Sequence, residues 1–315
     1  MSNCLFCYQP LAANGQDFHA SCSKKIFGQP TPPDLPYSEE DLEPLAKKVI
    51  QSQTSVTGVQ AKLSLHITGN QKEGNERRFT IVGLWGGYLL KPPTALYPQL
   101  PEVEDVTMHL AQLAKIKTAP HCLIRLQSGN LAFVTKRIDR TKNGKLAMED
   151  MCQLTERLTE DKYHGSYEQI AKAIQRHSVT PGLDVVNFFE LVLFSFLTGN
   201  ADMHLKNFSL LEQPGLGMVL SPAYDLVNTA LVHPADEEEM ALTLNGRKKK
   251  LTKQDFVAAM NTLKLEEKQQ EMIFNKMAKA WPHWQELIDR SFMSVEFKEK
   301  YKSLLKERMN RSFQP

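Results

Sequence analysis

The sequence predicts an α+β protein of two lobes, β-rich up to about residue 138 and mainly helical from there to residue 315. Three observations carry this. Short alternating apolar segments bounded by glycine-rich turns fill residues 63–91 and 131–138. Helical three- and four-residue spacing takes over beyond Arg140. At 315 residues the chain is long enough to build two lobes with an ample core, and a cleft is expected between them.

Taken in order, residues 1–50 form an N-terminal cysteine-rich segment and a linker. Three of the five cysteines lie within residues 1–28, and Gln29, Pro30, Pro32, Pro33 and Pro36 make the linker. Acidic Glu39, Glu40, Asp41 and Glu43 then open a short helix ending near Ile50. The first lobe is expected over 51–138. Leu63, Leu65 and Ile67 alternate with polar residues, a turn follows at 69–75, and 79–82 and 88–91 are two more short strands. Pro101 opens a helix whose apolar stripe is Val103, Val106, Leu110, Leu113 and Ile116. A strand at 131–138 follows the turn Ser128-Gly129-Asn130. The second lobe, 139–315, is expected to hold helices at 147–158, 167–177, 184–199, 253–263, 265–280 and 294–312. Thr252 and Asp255 have the spacing of a capping box, with Asp in place of the usual Glu or Gln.

Composition narrows the function classes. A hydrophobic share of 42% with 23% charged residues is that of a globular domain rather than a disordered chain. The net charge of +2 gives no general electrostatic reason to expect direct nucleic-acid binding, and Arg247-Lys248-Lys249-Lys250 reads as a solvated turn. No membrane role is expected, since the apolar run 188–197 contains Glu190 and falls short of the roughly 18 residues a span requires. An odd cysteine count and an N-terminus without the layout of a secretory signal point to the cytoplasm, export by an unrecognised signal aside.

The residues suited to chemistry are those of phosphoryl transfer, which needs a phosphate clamp, charge neutralisation and a carboxylate that orients the attacking hydroxyl. The sharpest signal is Gly199-Asn200-Ala201-Asp202-Met203-His204-Leu205-Lys206-Asn207, directly after an apolar helix. Asp202 and Asn207 have the D-x-x-x-x-N spacing of a catalytic loop, in which the Asp accepts the hydroxyl proton and the Asn holds Mg²⁺. His204 turns this into D-x-H-x-x-N, which also suits lipid and small-molecule phosphotransferases. Eighteen residues after Asn207, beyond a hairpin, Asp225 stands where a second Mg²⁺-binding Asp is needed. In the first half, Ser55-Val56-Thr57-Gly58-Val59-Gln60-Ala61-Lys62 precedes a strand and could cradle phosphate with its N–H groups. Lys91 at a strand end suits a phosphate-neutralising lysine, with Glu104, or less favourably Glu102, as its ion-pair partner on the next helix.

Together with 89–91, Glu104, Thr135-Lys136-Arg137-Ile138-Asp139-Arg140, Met148-Glu149-Asp150-Met151-Cys152-Gln153, 200–210 and Ala223-Tyr224-Asp225, these pieces resemble the HipA-type toxin kinases, in family order over roughly 50–230. The compact length makes the chain most similar to the HipT member. The resemblance implies a two-lobed protein-kinase-like fold and serine/threonine kinase activity with ATP and Mg²⁺. It implies ATP binding by Thr57, Gly58, Val59, Gln60, Ala61 and Lys62, by Lys91, by a hinge of Lys136, Arg137 and Ile138, and by His204, Lys206 and Asn207. Asp202 would be the catalytic base, Asn207 and Asp225 the Mg²⁺ ligands, and Asp139 and Gln153 would shape the nucleotide site. It further implies autophosphorylation at Ser55 or Thr57, an aminoacyl-tRNA synthetase as protein substrate, and a small antitoxin of the HipB or HipS type as partner. The basic Lys136 departs from the acidic residue of HipA, so hinge contacts to adenine are expected to run through backbone groups. The alternative class, a non-catalytic scaffold, has no need to retain Lys91, Asp202, Asn207 and Asp225 together.

Outside this set, Cys4, Cys7, His19 and Cys22 have the spacing C-x2-C-x11-H-x2-C, four candidate zinc ligands. The same four residues also fit a packed, metal-free cluster.

Overall fold

The computed structural model describes residues 3–12, 16–52, 62–69, 77–82, 85–235 and 237–313. It divides into two compact units. The first holds residues 1–105, 119–138 and 290–292, and the second holds 106–118, 139–289 and 293–315.

The first unit starts with helix α1 (Ala20–Phe27), closed by Gly28 at φ 78°, and continues with α2 (Glu39–Ser52). Ser38 starts α2: its hydroxyl accepts from Asp41 N at 3.3 Å while the Asp41 carboxylate takes Ser38 N at 2.8 Å. Five strands follow, β1 (Leu63–Thr68), β2 (Arg78–Val82), β3 (Tyr88–Lys91), β4 (His121–Arg125) and β5 (Leu131–Lys136). They form one antiparallel sheet in the order β2-β1-β3-β5-β4.

Alternation along the strands sorts side chains to two faces. Leu63, Leu65, Phe79, Tyr88 and Leu90 join the core with Ile26 and Phe27 of α1, and Phe27 meets the rings of Phe79 at 5.7 Å and Tyr88 at 6.1 Å. Lys91 lies opposite Phe133 in the register, so the two share a face, and the ammonium sits 5.4 Å from that ring. Helix α3 (Leu100–Leu113) begins in this unit with residues 100–105 and so supplies Glu104 to it.

Strand β4 is absent from the sequence expectation. Its first four residues are all buried, so no alternation marks it.

The second unit carries the hairpin of β6 (Arg140–Thr141) and β7 (Gly144–Lys145), then β8 (Met148–Asp150) and α4 (Met151–Leu154). A continuous helix over 147–158 is therefore not formed. Residues 148–150 pair with β9 (Ser209–Gln213), a non-local contact, and the Asp150 capping box starts the helix only at Met151. Helix α5 (Tyr167–His177) and the apolar α6 (Pro181–Leu197) lie where the periodicity places them. The hairpin of β9 with β10 (Gly217–Leu220) follows, and then the short α7 (Thr229–Val232). Buried Asp184 joins α6 to this hairpin, accepting from Leu220 N at 2.8 Å and Ser178 Oγ at 2.5 Å.

Helices α8 (Lys253–Thr262), α9 (Glu267–Arg290) and α10 (Val295–Phe313) complete the unit. Both halves of the Thr252 and Asp255 capping box form. Helix α9 runs ten residues past its expected end at 280 and through Pro282. Burial of Trp284, Leu287 and Ile288, with Trp284 Nε1 donating to Leu110 O at 2.8 Å, outweighs the lost N–H of the proline. Among the described residues no helix is long and apolar enough to cross a membrane.

Candidate active site

In the first unit, Lys91 ends β3 and its ammonium pairs with Glu104, their side chains only 4% and 2% exposed. Burying a lone ammonium is costly, and the Glu104 carboxylate supplies its counter-charge. Glu104 rather than Glu102 is the partner; burial pushes the Glu102 carboxyl up. Next to Glu104, Asp105 accepts from Tyr8 Oη at 2.6 Å and meets His121 Nδ1 at 2.7 Å, which fixes the start of α3. Of the expected hinge, Lys136 N donates to Pro120 O at 2.8 Å and Arg137 N to Gly87 O at 2.9 Å. Both amides are engaged by carbonyls of neighbouring segments. Residues 53–61, and with them Ser55, Thr57, Gly58, Val59, Gln60 and Ala61, lie outside the described residues.

In the second unit the segment 199–207 is anchored at every stage. Gly199 leaves α6 at φ 71°, and a Cβ there would fall 2.8 Å from Asn228 Oδ1. Ala201 N donates to Thr229 Oγ1 at 2.8 Å, and Asp202 N to Asn200 Oδ1 at 3.1 Å. Tyr167 Oη donates to Met203 O at 3.0 Å. Phe208 closes the loop, packed on Phe188 at 5.1 Å and Tyr167 at 6.1 Å. An aromatic floor under α5 and α6 thus holds the loop while leaving Asp202 half-buried.

Asp202 Oδ1 accepts from Tyr163 Oη at 2.7 Å, which fixes the carboxylate's orientation. Asn207 Nδ2 donates to Asp202 O at 2.8 Å, so the amide nitrogen is committed inward and Oδ1 is the atom that can ligate a cation. Asp225 sits at φ 55°, a sparsely populated conformation for a non-glycine residue and one concentrated at functional sites. Its neighbour Tyr224 is half-buried, hydrogen-bonded to Ser209 Oγ at 2.5 Å and donating to Lys206 O at 3.1 Å, which ties Asp225 to the loop. Asn207 and Asp225 together offer hard oxygen donors, the ligand set that suits Mg²⁺.

His204 is 6% exposed and its Nδ1 meets no partner among the described residues. Burial, aided by the charge of Lys162, lowers its imidazole to about 4, against the opposing pull of Asp202 and Asp225. It is neutral at physiological pH and packs edge-on against Tyr163, centroids 5.0 Å apart.

Lys206 Nζ pairs with Asp150 Oδ2 at 2.8 Å, and Asp150 caps α4 through its other oxygen. Gln153 is exposed, its Oε1 accepting from Asp150 N at 2.9 Å, so its side chain serves the capping box. Asp139 is buried, 3.3 Å from Arg140, and its carbonyl accepts from Leu146 N. Tyr163, Lys162 and Asp150 are additions to the expected site. Tyr163 lies 39 residues before Asp202 in a stretch without a motif, so only the fold brings it there.

The first unit thus holds the buried pair of Lys91 and Glu104, and the second holds an anchored loop of Asp, His and Asn followed by Asp225 at positive φ. A family model described as the HipA-like C-terminal domain matches residues 54–284, and the chain belongs to that family. Among similar proteins, Y4dM of Sinorhizobium fredii, named as a candidate kinase, is 32% identical over 234 residues, covering 70% of this chain and 55% of that protein. A candidate kinase of Haemophilus influenzae is 28% identical over 250 residues, covering 73% and 69%. The chain thus spans about half the length of the first of these relatives.

The fold is shared with the HipA of Shewanella oneidensis, solved with HipB and its operator DNA, at a TM-score of 0.67 and 22% identity over 85% of this chain and 70% of that one. It is also shared with the Helicobacter pylori proinflammatory kinase CtkA, at a TM-score of 0.53 and 18% identity over 71% and 87%.

Proposed function

We propose that this chain is a serine/threonine protein kinase using ATP and Mg²⁺, and the toxin of a HipA or HipT kind of toxin–antitoxin pair. The observation that carries the reading is the anchored loop that presents Asp202 and Asn207 together, with Tyr163 orienting the Asp202 carboxylate. Asp202 would accept the proton of the attacking hydroxyl, and the Tyr163 hydrogen bond limits the orientations the carboxylate can take. Asn207 and Asp225 would hold Mg²⁺, which supplies charge neutralisation for the transferring phosphoryl group. Lys91, paired with Glu104, would bind nucleotide phosphate oxygens, and residues 57–62 would contribute to ATP binding. Neutral His204 packs against Tyr163 and adds no positive charge beside Asp202.

The family suggests an aminoacyl-tRNA synthetase as the protein substrate, autophosphorylation at Ser55 or Thr57, and a small antitoxin as partner. The Shewanella HipA was solved with HipB and operator DNA, so this chain's low net charge is no argument against nucleic acid within such an assembly. The test is incubation of the full chain with γ-labelled ATP, Mg²⁺ and a cell lysate, followed by separation of protein and lipid fractions. The proposal expects label on serine or threonine of a discrete protein band. Label confined to lipid or small molecules would replace it with the alternative phosphotransferase.

A further inference from the structure

We propose that Cys4, Cys7, His19 and Cys22 form a closed, structural zinc centre that cross-links the two ends of the N-terminal segment, residues 4–7 and 19–22. One ligand atom from each of the four residues lies within 4.8 Å of the others. His19 Nδ1 stands 3.4 Å from Cys7 Sγ and 3.8 Å from Cys22 Sγ. A tetrahedral ion with Zn–S near 2.3 Å and Zn–N near 2.05 Å sets its sulfur and nitrogen ligands about 3.6 Å apart, between the two observed values.

The surroundings are those of a metal site. His19 Nε2 lies 3.0 Å from Pro10 O, so a proton on Nε2 donates to that carbonyl and Nδ1 keeps its lone pair for the ion. All three cysteines are free thiols. Four protein ligands leave no open position, so the centre is structural rather than catalytic.

The segment has much to hold. Leu5 N bonds Asp17 O at 2.9 Å across the cysteine loop, and Leu123 N of β4 bonds Leu5 O at 3.1 Å. Tyr8, between Cys7 and Pro10, donates to Asp105 next to Glu104. Metal binding would therefore fix Tyr8, and through it the start of the helix that carries the Lys91 partner.

Elemental analysis of the full chain, purified under reducing conditions without chelator, should find about one zinc per chain. Cobalt exchanged into the site should show the visible bands of a tetrahedral thiolate complex. Cys7→Ser and Cys22→Ser should drop the zinc below about a tenth per chain. His19→Cys, which keeps four ligands, should retain it, as should Cys152→Ser elsewhere in the chain. The His19→Cys arm keeps the test open if the serine variants fail to fold. Folded wild-type protein without zinc that also refuses cobalt would overturn the proposal. So would zinc unaffected by Cys7→Ser, or a disulfide among the three cysteines under these conditions.

Discussion

Replacing Glu104 by Gln isolates what the buried ion pair contributes to the first unit. Lys91 and Glu104 are nearly inaccessible, so the mutant leaves an ammonium with a neutral amide in place of its counter-charge. Removing one partner of such a pair costs about 3–5 kcal/mol, because the remaining charge keeps its desolvation penalty. Replacing both, as Lys91→Met with Glu104→Leu, removes charge and penalty together and should come out within about 1–2 kcal/mol of wild type. The chain has two units, so a single unfolding midpoint is a poor readout. Hydrogen exchange resolved to peptides covering β3 and β5 reads the first unit alone. Glu104→Gln should speed exchange there by roughly 10²-fold to several thousand-fold at 1.4 kcal/mol per tenfold, and the double mutant should restore most of the protection. If Lys91 also clamps nucleotide, both variants should lose phosphoryl transfer, although only one is destabilised. Exchange in Glu104→Gln within a few-fold of wild type would refute the reasoning, since the pair would then be solvated.

Three further outcomes follow from the second unit. Tyr163→Phe removes one hydrogen bond to Asp202 and should lower kcat by about 3- to 10-fold with KM for ATP unchanged, as steady-state kinetics would read. His204 should make the second unit acid-sensitive. Its folded value of about 4 lies below the ordinary 6.5, so its contribution is fully present above pH 6.5 and is lost as the pH falls toward 4. The loss approaches about 3 kcal/mol, and His204→Gln should flatten that part of the urea-midpoint profile. Gly199→Ala should cost about 1–2 kcal/mol for the left-handed backbone, with more for the contact at Asn228. Gly215→Ala, also at positive φ but facing open space, should show the backbone cost alone.

Local signals reported much of this architecture. The alternation of Leu63, Leu65 and Ile67, the Thr252 and Asp255 cap, and the hairpin after Asn207 each depend on neighbours in sequence. The pairing of Lys91 with Glu104 was readable too, because strand end and helix start are 13 residues apart. What was not readable depends on distant partners. Residues 148–150 become a strand because β9 is there to pair with them, and α9 passes Pro282 because Trp284 has a buried place to fill. Strand β4 lacks a pattern since its burial is two-sided. At the site, the spacing from Asp202 to Asn207 is written in the chain, whereas Tyr163 reaches Asp202 through the fold alone.

The central claim is that Asp202 receives the proton of a hydroxyl while the nucleotide is held by other groups. Its most direct test measures Asp202→Asn and wild type side by side, with Mg²⁺-ATP affinity by calorimetry and transfer of labelled phosphate to protein from the same preparations. Affinity should stay within a few-fold, and transfer should fall by about 10²- to 10⁴-fold. Transfer equal to wild type in Asp202→Asn would contradict the account.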